Sequence, residues 1–366
     1  MMPSYIQQWW DRLLGRGTAA ITVPIMDGAI KPNRALDEAA VVLNLPGIDD
    51  IASDGQRLWI SAGPVLYHLD GQHALEVRRF DTPITALAAD GKGHLAVALG
   101  GRELHLINVE GATVTQTRAL GGRALFSANA LAFEGADSLL VSDGSEQFGP
   151  DQWCHDLMHH GKTGKVGRWN WQSGDSTLLA QGLAYAFGVL SDGGLARWSE
   201  SWKHTLGSAH GSAIALRATV AELPGYPSRM AQAQGGGFWL TCFVCRTQLV
   251  EFVLREDAFR NRMMQEIHPS QWVAPALSSG KSFLEPLQGA GVKSMGVLKP
   301  WAPPRSYGLV LRVADDGRVL SSLHSQVDGQ HHGITAVAEH AGALYLVSKG
   351  SARLLRVELN SSGDVA

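Results

Sequence analysis

Three groups of residues in this sequence have the types and spacing that chemistry uses. Cys242-Phe243-Val244-Cys245 is a C-x-x-C, the spacing of redox dithiols and of half a zinc site. It lies in a strand-like run from Phe238 to Leu249, where positions three apart face opposite sides, and the one other cysteine, Cys154, cannot complete a metal site. His155 and His159, four apart, share one face of a short helical insert at Asp151 to His160. That is zinc-like spacing, but the glutamate of the His-Glu-x-x-His motif is missing, so these histidines read as solvated or pocket-lining, with Trp153 and Met158 beside them as apolar wall. Gly235-Gly236-Gly237 precedes a strand and no helix, so it reads as a turn and not as a phosphate loop.

The elements that must position any site come from a repeat. A Gly-bearing turn is followed by three or four apolar residues, often ending in Ser or Thr. The pattern runs through Leu58-Trp59-Ile60-Ser61, Leu95-Ala96-Val97, Leu139-Leu140-Val141-Ser142, Leu195 to Ser199, Phe238-Trp239-Leu240-Thr241 and Leu344-Tyr345-Leu346-Val347-Ser348. Six copies predict an all-β fold, a six-bladed β-propeller. Six blades of ~45 residues need ~270, which leaves ~96 for additions. Residues 1–40 then form an N-terminal extension, and residues 41–366 form a single propeller domain. A helical and looped insertion at about 256–306, rich in proline at Pro300, Pro303 and Pro304, precedes the last blade.

Composition narrows the function classes. There are 31 Lys and Arg against 34 Asp and Glu, a balance that argues against nucleic acid as a partner. The longest apolar runs, such as Ala39 to Leu43, are five residues, too short for a transmembrane segment. Asp11, Arg12 and Arg16 break up any secretion signal, and three cysteines fit a reducing, cytoplasmic setting. Ile6, Trp9, Trp10, Leu13 and Leu14 share one helical face, suited to docking on the body, to a membrane surface or to a partner subunit; the sequence gives no oligomeric state.

Ser142-Asp143-Gly144-Ser145, Thr163-Gly164-Lys165-Val166 and Gln181-Gly182-Leu183-Ala184 lead to the most distinctive element, Leu223-Pro224-Gly225-Tyr226-Pro227 with Phe238-Trp239-Leu240 after it. With Ser306-Tyr307-Gly308-Leu309-Val310 and His332-Gly333-Ile334-Thr335, this series resembles the strictosidine synthase-like family, six-bladed propellers related to gluconolactonase and the paraoxonases. The resemblance spans roughly residues 40 to 358 and is poor across the insertion.

The resemblance implies a site on the propeller axis and two mechanisms. The hydrolytic relatives use axial calcium, which polarises a lactone or ester carbonyl. The strictosidine-forming members use no metal and a glutamate base. Carried over residue by residue, the metal positions fall on Asp49 and Asn129, but the remaining ligands become Phe187 and the pair Ser228-Arg229. That set is incomplete: calcium binding is expected to be weak, and no cofactor is the leading expectation. The glutamate falls on His332, next to His331, which argues against strictosidine formation itself. A metal-free constellation remains, with His332 as base, Asp49 as its orienter and Arg229 as anion or oxyanion partner. Asn129, Phe187, Ser228, His331 and Trp153 would line the substrate pocket. Each also has a structural reading: a hydrogen-bonded histidine, a turn at Asp49-Asp50 after Pro46-Gly47, an Arg229 ion pair. The leading expectation is lactone or ester hydrolysis at the axis. The alternatives are a metal-free lyase or condensing enzyme on an amine or carbonyl substrate, and a non-catalytic small-molecule-binding propeller.

Overall fold

The structure, a computed structural model, describes residues 23–211, 213–280, 282, 284–286, 306–360, 363 and 365, with the side chains of 213–219 also outside the description. The amphipathic face at Ile6 to Leu14 lies outside the described residues.

The repeat folds into six four-stranded antiparallel sheets arranged as the blades of a propeller. The innermost strands, in blade order, are Ile48–Ser53, Ile84–Ala89, Ala128–Glu134, Ala186–Asp192, Gly225–Gln232 and Ile334–His340. Each packs against the innermost strands of both neighbouring blades, so they close a ring around the axis. Every apolar repeat found in the sequence forms the second strand of a blade: Leu58–Ala62, His94–Leu99, Ser138–Asp143, Leu195–Glu200, Phe238–Cys245 and Ala343–Ser348. These strands are buried on both faces, because each sheet is sandwiched between two others. That is why they read as continuous apolar runs rather than as alternation.

The turns that start the repeats have a local cause. The Asp54 carboxylate accepts hydrogen bonds from the backbone N–H groups of Gln56 and Arg57, and Gly55 takes the positive φ of 88° that the turn requires. Asp90 does the same for Lys92 and His94. The ring closes without a seam: Ala40–Asn44, from the N-terminal side, becomes the outer strand of the sixth blade and pairs with Arg353–Glu358.

The insertion is placed more closely than the sequence allows. It lies inside blade five, between Phe238–Cys245 and the third strand Gly308–Val313, and it begins with a helix at Gln248–Arg255, capped by the Thr247 hydroxyl on the Val250 N–H. A second helix, Asp257–Glu266, follows. Together with the short helix Trp153–Met158, the first helix covers one end of the axis with an apolar layer that includes Trp153, Tyr185, Phe187, Trp202, Tyr226, Phe243 and Trp272. No helix among the described residues is long and apolar enough to cross a membrane.

One ion cluster ties this cap to the blades. Glu251 accepts from Arg246 at 2.9 Å and stands 3.4 Å from His204, under the helix Gln248–Arg255. Burial works to raise the Glu251 carboxyl, but the hydrogen bond and charge of His204, and after them those of Arg246, outweigh it and hold it down to about 2. A carboxylate depressed in the folded state contributes stability above its unfolded value and loses it as pH falls toward its folded value. Urea unfolding from pH 5 down to pH 2.5 should therefore show wild type losing about 2–3 kcal/mol more than Glu251→Gln. Parallel pH curves for the two proteins would show that the cluster does not anchor the cap.

Candidate functional site

Each innermost strand is the edge of its sheet, so its axis-facing N–H and C=O groups have no ladder partner. Each also carries a register break near the same point, a bulge that re-aims one or two residues. The displaced residues are Asp49, Thr85, Asn129, Phe187 with Gly188, Ser228 with Arg229, and Thr335, one set per blade. The bulges form a ring across the axis, and Arg229 fills its centre.

The guanidinium of Arg229 reaches the other five blades. Its Nε donates to the Asn129 carbonyl at 3.0 Å, one terminal nitrogen to the Asp49 carbonyl at 2.9 Å and more weakly to the Thr335 carbonyl at 3.5 Å, and the other to the Thr85 carbonyl at 2.7 Å. Two carboxylates join it, Asp50 at 3.0 Å and Asp49 at 3.5 Å. The Phe187 ring of blade four lies 5.3 Å from the guanidinium carbon, a cation–π contact. Arg229 itself belongs to blade five and is only 6 % exposed. A guanidinium has five N–H donors, and these partners engage every one of its nitrogens.

The two aspartates have different environments. Burial works to raise Asp49, but the charges of Lys349, at 2.7 Å, and Arg229 hold its carboxyl below its usual range. Burial pushes Asp50 up to about 7, against Arg229 and the backbone N–H groups of Leu87 and Ile51, with the neighbouring Asp49 charge adding to the rise. Asp50 and Arg229 also line a channel of about 300 Å³ that runs from the ring along the second halves of the innermost strands. Small residues keep it open, among them Ala52, Ala89 and Ala132, and Ser53, Ser191, Gln232 and Glu339 give it polar points.

The other expected site residues are placed as follows. The Asn129 amide is committed to the Ala186 carbonyl at 3.1 Å, and the Ser228 hydroxyl to Thr241 at 2.7 Å. Trp153 packs edge-on against Phe243 in the cap. His332 donates from Nε2 to the Gln326 carbonyl at 2.6 Å, and its Nδ1 takes the Ser306 hydroxyl at 2.7 Å. Both ring nitrogens are engaged, burial lowers its pKa, and no hydrogen bond joins it to Asp49 among the described residues. His331 is buried beside it with an unpartnered Nδ1. The structure thus brings Asp49, Asn129, Phe187, Ser228 and Arg229 to one ring and leaves His331, His332 and Trp153 off it. Cys242 and Cys245 are free, buried thiols in an apolar cluster, and burial pushes both up.

Thr85, Thr335 and Asp50 belong to the arrangement and were not singled out by their residue type. Their signal is positional: Ile84-Thr85-Ala86-Leu87 and Ile334-Thr335-Ala336-Val337 repeat one tetrapeptide, and Ala128-Asn129-Ala130-Leu131 is its third form. Asp50 is the residue after the bulge in the first blade.

These residues do not fit the calcium ion that the family resemblance implies. Calcium wants six to eight oxygens and no competing cation. The oxygens here converge on a guanidinium, and among the described residues no group of three His, Cys, Asp or Glu could hold a metal.

No family model matches the chain. A curated relative, adipocyte plasma membrane-associated protein from Salmo salar, is 22% identical and covers 92% of this chain and 82% of its own length. Among solved structures, a gluconolactonase from Xanthomonas campestris matches with a TM-score of 0.58 at 13% identity, over 93% of this chain and 95% of its own. A putative gluconolactonase matches at 0.55 and 13%, over 87% and 91%, and a luciferin-regenerating enzyme at 0.53 and 12%, over 89% and 95%. The six-bladed fold is therefore shared with gluconolactonase-like propellers.

The ring depends on one close approach. A Cβ on Gly188 would collide with the Ser228 carbonyl and come within 2.9 Å of the Arg229 Cα. Gly188→Ala should lower stability by about 2 kcal/mol or more by forcing blades four and five apart at the ring. Urea unfolding checks this; a variant as stable as wild type would show that the bulges can slide without cost.

Proposed function

We propose that this chain is a strictosidine synthase-like propeller that hydrolyses a small lactone or ester in its axial channel without a divalent cation. One observation carries the reading: the channel begins on a buried carboxylate and guanidinium, Asp50 and Arg229, held 3.0 Å apart. At about 300 Å³ the channel suits a small ligand. The likeness to gluconolactonases and the Leu223-Pro224-Gly225-Tyr226-Pro227 element support the choice of reaction and branch. The buried thiols of Cys242 and Cys245, which form no disulfide, support a reducing, cytoplasmic setting.

In this reading Asp50 is the base. Its two oxygens accept from Ile51, Leu87 and Arg229, which uses three of about four lone-pair positions and leaves one for a water in the channel. Deprotonated water attacks the carbonyl, the carbonyl oxygen takes up negative charge, and the proton passes through Asp50 to the leaving oxygen. Arg229 has its donors committed and contributes fixed positive charge. Free-edge N–H groups of the innermost strands are the donors within reach of the oxyanion. Asp49 and Lys349 hold the far side of the guanidinium.

A second reading, a propeller that binds a small molecule without turnover, is favoured by the complete engagement of Arg229. The two separate on a panel of γ- and δ-lactones and short-chain esters, assayed in EDTA and in calcium. Hydrolysis that is indifferent to EDTA, with kcat falling about 100-fold or more in Asp50→Asn, is the expected result. A rate abolished by EDTA and restored by calcium would overturn the metal-free site. Turnover lost in His332→Ala but kept in Asp50→Asn would move the reaction to the capped side. No turnover, with a lactone raising the melting temperature, would leave the binding reading.

A further inference from the structure

The contacts of Arg229 are those of a receptor around a ligand. Carbonyl oxygens from blades one, two, three and six point at one planar cation, two carboxylates flank it, and an aromatic ring from blade four stands beside it. None of the four carbonyls lies within a sheet ladder at that point, because each belongs to a displaced residue on a free edge. Their shared donor is the guanidinium. It also sits too deep, at 6 % exposed, for water to replace it freely.

We infer that the axial ring is a guanidinium-binding site whose ligand is tethered to the chain through Arg229, and that the ring will bind a free guanidinium-class cation when the tether is cut. The inference goes beyond the hydrolytic reading and stands whether or not the channel catalyses anything. Three features select the ligand class. The partners surround a flat, five-donor fork, a shape that an ammonium ion lacks. Two aspartates require positive charge, which a neutral amide of the same shape does not supply. The Phe187 face suits a weakly hydrated, delocalised cation rather than a strongly hydrated metal ion.

The test is chemical rescue of Arg229→Ala, read by thermal unfolding. Removing the side chain leaves the Thr85 and Asn129 carbonyls without a donor and Asp50 without its cation among the described residues, while Thr335 and Lys349 still serve Asp49, so the variant should melt below wild type. Methylguanidinium, at millimolar concentrations far below denaturing levels, should raise the melting temperature of Arg229→Ala saturably by at least about 3 °C. Urea and sodium chloride at equal concentration should not, and wild type, whose ring is filled, should not respond to methylguanidinium. Absence of a rise, or an equal rise with urea or sodium chloride, would overturn the inference. A larger rise with calcium would overturn it too, by assigning the ring to a metal.

If Arg229→Ala does not fold alone, its refolding yield is measured with and without methylguanidinium, and a yield unaffected by the ion counts against the site. Arg229→Lys provides the second variant. It keeps the charge but not the fork, so it should melt between Arg229→Ala and wild type and gain less from methylguanidinium than Arg229→Ala does. Arg229→Lys melting with wild type would show that charge alone satisfies the ring.

Discussion

Six sheets that meet around an axis bring six free strand edges together, and the backbone groups on those edges have nowhere to pair. A buried carbonyl without a donor costs about 1–3 kcal/mol, so a closed propeller must supply donors at its centre or admit water there. This chain does both. On one stretch of the axis it keeps a channel of about 300 Å³ lined by small residues. At the ring of bulges it supplies one side chain whose donors span the gap between the edges. Arginine is the residue that can do this, because its donors fan out in a plane and it stays charged after burial.

The bulges convert a structural need into a site. A regular strand would point alternate side chains into the spaces between blades and none along the axis. The register breaks displace Asp49, Thr85, Asn129, Phe187, Arg229 and Thr335 at one level, so blades with different sequences present their residues to one point. Asp49 and Asp50, adjacent in sequence, fall on different sides of the break. Asp49 meets Lys349, whose side chain is 40 % exposed, and Asp50 meets the channel. One guanidinium thus separates two carboxylates with opposite shifts, a division that proximity in sequence would not suggest.

The blades were legible because burial on both faces writes continuous apolar runs, and all six repeats proved to be second strands. The innermost strands were harder to read. Their runs are short, and the bulge breaks the alternation that would mark them. Asp49, Asn129, Phe187, Ser228 and Arg229 were found through a family resemblance, whereas Thr85 and Thr335 serve the ring through backbone carbonyls that no residue type announces and through hydroxyls that tie each to a neighbouring blade. The helix Gln248–Arg255 was hidden for a different reason: Phe238 to Leu249 reads as one apolar strand, and only the Thr247 cap marks where it ends. The pairing of His332 with Ser306 joins residues on two sides of the fifth blade's outer strands, a contact that follows from tertiary placement alone.

An arginine at the axis does different work from the metal ion that the family resemblance implies. A divalent cation brings two charges without direction, gathers carboxylates, and keeps an exchangeable position for water or substrate. A guanidinium brings one charge with fixed directions. It is satisfied by neutral carbonyls, and here it leaves no donor open. The two aspartates then exceed the guanidinium charge by one, and Lys349 on one side and a raised Asp50 on the other make up the difference. In the proposed hydrolysis, the chemistry falls to the group that the guanidinium leaves least satisfied. That group is Asp50, whose remaining lone-pair position borders the channel rather than the cap.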